Sequence, residues 1–461
     1  MINVTNVSYQ YNVKDSKALD NVSFTIQQGE CIVLCGKSGC GKTTLTRVLN
    51  GLIPHFEHGQ LHGHCSIENI DSSNSKIEDY VLKVGSVFQN PKTQYFNTNT
   101  KAELAFPCEN IGMDPDDILK KIEECAKFFN ISYLIDKNIF HLSGGEKQKV
   151  AFGASMMLDH KILVLDEVTS NLDSKTIIEI IKLIHYIKQQ NVTIILAEHR
   201  LAWTVDFCDK YFYMVDGHIE HIYTKEEFIQ LNDSQLQTMG LRSIDLQPYK
   251  DIIQQKENIP CTNPYLSIYD LDIGYSKDKI VRHIDAFQIQ KGEILGLMGN
   301  NGIGKSTLIK TLCGLMRPIN GEILIDHHSI KPKKLISFSY LVMQDVNYQL
   351  FSDSVEEEIL LNCTNENYES ILESLNLTEL KDRHPMSLSG GQKQRVVIAS
   401  ALCSNKDIIY LDEPTSGLDR YHMEKVGQLL NDLKKMNKAV VVITHDEELA
   451  ASVCDRIVRF E

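Results

Sequence analysis

The sequence predicts a duplicated α/β fold: two parallel-sheet cores in tandem, each interrupted by a helical insertion. Three observations carry this. First, GKSGCGKTT at 36–44 returns as GNNGIGKST at 299–307. Second, LSGGEKQKV at 142–150 returns as LSGGQKQRV at 388–396, ILVLDE at 162–167 as IIYLDE at 408–413, and LAEH at 196–199 as VITH at 442–445. Third, the register is kept. Twenty-three positions separate Ser143 from Asp166 and Ser389 from Asp412, and 33 separate those aspartates from His199 and His445. Chance matches do not hold spacing over such distances.

Within each half, short apolar runs rich in β-branched residues alternate with helical segments. They read ECIVLCG, KILVLDE and VTIILAE, then EILGLMG, DIIYLDE and AVVVITH. Such runs suit parallel strands buried on both faces and covered by helices. The halves differ between Lys42 and Ser143, 101 positions apart, and between Lys305 and Ser389, 84 apart. There DDILKKIEECAKFFN (116–130) and NYESILESLNL (367–377) place apolar residues near helical spacing, so each core is expected to carry an inserted helical subdomain. Residues 236–262, mixed and polar with two prolines, read as a linker between domains at 1–235 and 263–461.

Composition narrows the function classes. Sixty-one acidic against 47 basic residues give −14, which argues against nucleic acid or anionic lipid as a broad electrostatic partner. No run of about 18 apolar residues is present, so no membrane-spanning helix is expected. MINVTNVSYQYN lacks the basic and apolar regions of a secretory signal, which makes a cytoplasmic chain the expectation. Twelve cysteines without a CxxC pair read as reduced structural thiols.

The motifs carry the chemistry. G-x4-G-K-[ST] occurs at Gly36–Thr43 and Gly299–Ser306, each after an apolar strand and opening a helix. Glycines let backbone N–H groups converge on phosphate oxygens, and the helix N-terminus favours their charge. The first loop is Gly36, Lys37, Ser38, Gly39, Cys40 and Gly41, followed by Lys42, Thr43 and Thr44. The second is Gly299, Asn300, Asn301, Gly302, Ile303 and Gly304, followed by Lys305, Ser306 and Thr307. Lys42 and Lys305 are expected to reach β- and γ-phosphates, with Thr43 and Ser306 on Mg²⁺. A ligand-free glycine turn is the alternative; two copies in the right context argue against it.

Asp166 and Asp412 end apolar runs where a carboxylate can hold hydrated Mg²⁺, and Glu167 and Glu413 follow as candidate general bases. Acids at a strand end also serve as simple caps, but here their spacing to the other motifs is kept. His199 and His445 end the next run, within reach of a γ-phosphate. A lone histidine there is more often structural; the matched position favours function. Ser143 with Glu146 and Ser389 with Gln392 fit the S-x-x-[EQ] capping box, so each LSGG opens a helix. Gly144, Gly145, Gly390 and Gly391 then permit close approach to a second anion-binding N-terminus, where the plain reading is a well-capped helix.

This set resembles the ATP-binding cassette (ABC) family over nearly the whole chain outside the linker. The resemblance implies two tandem ABC-type P-loop nucleotide-binding domains that bind ATP and Mg²⁺ and hydrolyse ATP. In that family two cassettes pair head to tail, which implies that Lys42 shares a nucleotide with Ser389 and Lys305 with Ser143 inside one chain. Tyr11 and Tyr275 match the aromatic that stacks on adenine, although lone tyrosines are more often core or surface residues. Gln89 (VFQNP) and Gln344 (VMQDV) match the glutamine that senses Mg²⁺ and water beside the groove for a membrane subunit. Asp173 (SNLD) and Asp419 (SGLD) match the loop linking the sites. One departure is Val168, where the family usually has proline, as at Pro414; it is expected to alter a turn and removes no catalytic group.

NGLIPHFEHGQLHG (50–63) and VFQNPKTQYF (87–96) are similar to the ATPase of energy-coupling factor (ECF) importers. That implies an integral membrane T component, a substrate-binding S component, a vitamin, cofactor or related micronutrient as cargo, and a peripheral position on the cytoplasmic face of the membrane. His55, His58, His62, His64 and Cys65 suggest a metal site, but their spacing follows no zinc pattern and none is expected. Two alternatives stand. A sugar-type importer ATPase usually degrades one half, whereas Glu167 and Glu413 are both present. A soluble ABC ATPase of translation or DNA repair is expected to show a charged linker, a coiled coil or zinc cysteines.

Overall fold

A computed structural model describes residues 1–12, 16–68, 70–72, 74–89, 91–170, 172–361, 363, 368–388 and 390–460. The chain divides into two compact units, Met1–Asp245 with Asp419–Tyr421, and Leu246–Leu418 with His422–Glu461.

In the first unit, a six-stranded sheet runs in the order His218–Thr224, Lys210–Val215, Cys31–Gly36, Thr193–Ala197, Ile162–Asp166, Val84–Val87. Its pairings are parallel except that of His218–Thr224, which closes the edge as a hairpin. Three of these strands are the expected apolar runs, and every residue of Cys31–Gly36, Ile162–Asp166 and Thr193–Ala197 is buried. Side chains alternate across a strand, so the same run feeds two cores. Cys31, Val33, Leu163, Leu165, Ile194 and Leu196 enter one, which also holds the helical insertion. Ile32, Leu34, Ile162, Val164 and Ile195 enter the other, against a four-stranded antiparallel sheet built on Ile2–Gln10.

The second unit repeats the plan. A parallel sheet runs Ser339–Val342, Ile408–Asp412, Ala439–Ile443, Ile294–Gly299, Arg456–Phe460. Its antiparallel sheet is centred on Leu266–Ser276.

The insertions are helical, as expected, and differ in size. The first holds Thr100–Asn110 and Pro115–Phe128, where Ile118, Ile122 and Ala126 form the buried stripe. Asp114 caps the latter by accepting from the Asp116 N–H at 2.9 Å. The second insertion holds the shorter helices Val355–Leu360 and Tyr368–Ser374.

The stretch expected as a linker is structured. Asp233–Met239 and Gln247–Glu257 are helices. Leu236 and Leu241 pack into the first unit's core, Ile253 into the second's. Polar composition hid a few anchoring apolar side chains. Among the described residues no helix is long and apolar enough to cross a membrane.

Candidate active site

In both units the glycine loop, the glutamine, the Asp-Glu pair and the histidine stand at or just past the carboxyl ends of parallel strands, where loops leave an α/β sheet and ligands bind. Strand Cys31–Gly36 runs into the glycine loop and helix Lys42–Leu49, which Gly41 opens at φ 104°. Glycine takes that left-handed conformation without steric cost. A Cβ on Gly36 would lie 2.3 Å from the Met214 carbonyl oxygen, so the loop also needs glycine for space. Lys42 is buried and its Nζ donates to the carbonyls of Gly36 at 3.0 Å and Lys37 at 3.2 Å. In the second unit Gly304 opens helix Lys305–Leu312 at φ 103°, and the buried Lys305 donates to the carbonyls of Gly299 and Asn300. A buried ammonium over a helix N-terminus fits a phosphate anion.

Oxygen donors gather beside each lysine. The Thr43 hydroxyl donates to Asp166 Oδ1 at 3.3 Å, and the Ser306 hydroxyl to Asp412 Oδ2 at 2.8 Å. Burial, then the Glu167 charge, pushes the Asp166 carboxyl up to about 6, and burial raises Asp412 too. Hydroxyl and carboxylate oxygens are the donors a hard divalent cation takes, so the set fits Mg²⁺.

The glutamates after these aspartates share an unusual backbone. Glu167 lies at φ 46° and Glu413 at φ 50°. Their N–H groups donate to Ala197 at 2.8 Å and Ile443 at 2.9 Å, the ends of the neighbouring strands. Non-glycine residues in this region cost energy and cluster at functional sites. Gln89 Nε2 donates to Glu167 Oε2 at 2.6 Å, and His199 Nε2 lies 3.2 Å from Oε1. Burial and the Lys42 charge lower the His199 pKa, which favours the neutral ring. In the second unit, His445 Nε2 is 3.5 Å from Glu413 Oε1, 3.3 Å from Lys305 Nζ and 3.0 Å from Asn301 Oδ1. Gln344 is exposed just past strand Ser339–Val342. Val168 leaves the turn unaltered: Ser170 and Ser416 each donate to the glutamate carbonyl at 3.3 Å.

Helix Gly144–Met156 has the expected capping box. The Glu146 N–H donates to Ser143 Oγ at 3.3 Å, and the Ser143 N–H to Glu146 Oε2 at 2.8 Å. Gly144 and Gly145 form its first turn, as Gly390 and Gly391 do in Gly390–Cys403; Ser389 lies outside the described residues. The Tyr11 hydroxyl is 3.2 Å from Thr44 Oγ1 and accepts from Arg47 at 3.3 Å, whereas Tyr275 is 68% exposed, with Lys279 over its ring. His62 and His64 are exposed on strand Gln60–Ile67, and Cys65, one position on, faces the core.

Two pairs of acids went unnoticed in the motifs. Buried Glu198 and Asp446 bond the turns behind the two glutamates, at Thr169 and Thr415. Buried Glu103 accepts from the N–H groups of Phe96 at 3.1 Å and Asn97 at 2.8 Å, and buried Glu358 from those of Phe351 at 2.6 Å and Ser352 at 2.8 Å. The equal spacing, seven positions on from Phe96 and from Phe351, was the available signal.

A family model described as ABC transporter matches residues 19–170 and 283–416. A Treponema denticola protein named as an ABC transporter ATP-binding protein is 40% identical over 463 residues, covering 99% of this chain and 94% of the relative. A second from that organism is 36% identical over 467 residues, covering 100% and 95%. Among solved structures, an RNase-L inhibitor aligns with 99% of this chain and 88% of its own at a TM-score of 0.67 and 21% identity, a likeness of fold alone.

Proposed function

The chain belongs to the ABC transporter family and is an ATPase with two cassettes, and we propose that it energises a membrane importer of the ECF type. The cargo is a vitamin, cofactor or related micronutrient, and the partners are a membrane T component and a substrate-binding S component. The chain sits peripherally on the cytoplasmic face.

The observation that carries the coupling is a repeated apolar device. Phe96 is 76% exposed and Phe351 79% exposed, each seven positions past Gln89 or Gln344. Each has its backbone held by a buried glutamate. The Phe96 ring stacks on Phe106, centroids 5.0 Å apart, and both Phe96 and Phe351 leave most of their surface for an apolar partner to cover. The stretches at 50–63 and 87–96 support the ECF assignment.

Hydrolysis follows from the chain's own groups. Lys42 and Lys305 bind the β- and γ-phosphates. Thr43, Asp166 and Gln89, and in the second cassette Ser306, Asp412 and Gln344, hold Mg²⁺, which neutralises phosphate charge when bound. Glu167 and Glu413 take the proton of the attacking water. His199 and His445 hold the glutamates and face the γ-phosphate. Tyr11 and Tyr275 stack on adenine. Ser143, Gly144 and Gly145, with Ser389, Gly390 and Gly391, close over the nucleotide held by the other cassette's lysine; support for this is the paired motifs in the sequence.

Detergent extraction and co-purification test the coupling. An integral membrane protein should accompany the chain, and Phe96→Asp with Phe351→Asp should release it while ATPase activity persists. Ribosomes or DNA in its place would overturn the importer reading.

A further inference from the structure

The two cassettes anchor the turn behind the base differently. In the second, Pro414 follows Glu413 and constrains the turn through its ring. The Thr415 hydroxyl then donates to Asp446 Oδ2 at 2.7 Å, an acid one position after His445. In the first, Val168 replaces the proline and Arg200 stands at the position of Asp446. The acid appears instead one position before the histidine, as Glu198, where the second cassette has Thr444.

The backbones match, so the side chains account for the difference. The N–H of Glu198 donates to Leu34 at 3.1 Å and that of Thr444 to Leu297 at 3.4 Å, in equivalent strands. Glu198 is 2% exposed. Its Oε1 accepts from the Thr169 hydroxyl at 2.9 Å and the Thr169 N–H at 3.3 Å, and its Oε2 from the His199 N–H at 3.3 Å. One side chain thus ties the turn carrying Glu167 to the residue whose ring contacts Glu167. Without it, Thr169, which is fully buried, loses the acceptor of both donors.

We infer that Glu198 is a positioning residue of the first site, doing from before the histidine what Pro414 and Asp446 do together in the second. The inference rests on the reading of Glu167 as the base. It makes the sites inequivalent in how they are held, although both keep a full set of reacting groups.

The test is steady-state ATPase of the full chain. Displacing a base by about 1 Å costs on the order of 10²-fold at that site. Because the second site is untouched, Glu198→Ala should lower total kcat towards about half, with KM for ATP unchanged. Glu198→Gln, which keeps an acceptor oxygen for Thr169, should retain most turnover. The triple change Val168→Pro, Glu198→Thr and Arg200→Asp, which writes the second cassette's turn into the first, should restore it even if Glu198→Ala folds poorly. Unchanged kcat in Glu198→Ala, or a triple variant no better than Glu198→Ala, overturns the inference. Glu167→Gln, run alongside, separates the two readings: loss there with none in Glu198→Ala sinks the positioning role alone, and full turnover there sinks the base assignment.

Discussion

At the residue scale, Glu167 and Glu413 combine a left-handed backbone with a backbone bond to the adjacent strand. That geometry sets the direction of the Cα–Cβ bond, and in the first cassette Gln89 and His199 hold the carboxylate itself. Glu167→Gln together with Glu413→Gln preserves size and removes the base, so turnover should fall by about 10²–10⁴-fold while ATP binding, read by nucleotide titration, persists. A second consequence concerns pH. Burial, then the Glu167 charge, pushes the Glu198 carboxyl up to about 8, with the two Thr169 hydrogen bonds and then Arg200 acting in the other direction. The folded chain keeps this proton between the ordinary glutamate value and about 8, whereas the unfolded chain releases it, so stability is lost as pH rises through that window. Glu198→Gln removes the loss. The melting temperature of the variant should gain on the natural protein from about pH 5 to about pH 8 and level off above. A difference independent of pH would refute the assignment.

At the element scale, the loops bearing Phe96 and Phe351 owe their shape to acids on the helices that follow. Glu103 lies in Thr100–Asn110 and Glu358 in Val355–Leu360, and both are buried. Each accepts from two successive backbone N–H groups of the preceding loop, which have no strand to pair with. Glu103→Ala leaves those donors without their acceptor, a loss of about 1–3 kcal/mol. Urea denaturation should show it in the first cassette, and the membrane partner should be retained less well. Full stability in this variant would mean that the loop is held by other contacts.

At the scale of the whole molecule, the proposed exchange of helix N-termini has a kinetic signature. An arginine at Ser143 would obstruct the N–H groups offered to the nucleotide on Lys305. Ser143→Arg with Lys305→Ala then damages one site twice and should be little worse than the stronger single change. Ser143→Arg with Lys42→Ala damages both sites and should abolish hydrolysis. Steady-state ATPase of the singles and pairs decides it; the reverse pattern would refute the exchange.

Much of the site was legible because its parts are local. A glycine loop, a strand ending in Asp-Glu and a serine three positions before a glutamate or glutamine are set by neighbours in the chain, and duplication allowed each to be checked against its copy. The burial of every residue along ILVLD and TIILA, with successive side chains facing opposite cores, likewise follows from strand geometry. The tertiary structure decided what depends on partners far along the chain. Thr169 meets Glu198 across 29 positions and Thr415 meets Asp446 across 31, and nothing in AEHR or ITHD says which acid turns inward. Residues 236–262 read as a linker because the stretch is mixed and polar with two prolines and few apolar positions. A single buried side chain in each helix, Leu236 and Ile253, was enough to commit those helices to different cores. Spacing records which groups a chain carries, but burial is settled only when distant segments pack, and it is burial that turns Glu198 from a surface acid into a support for the base.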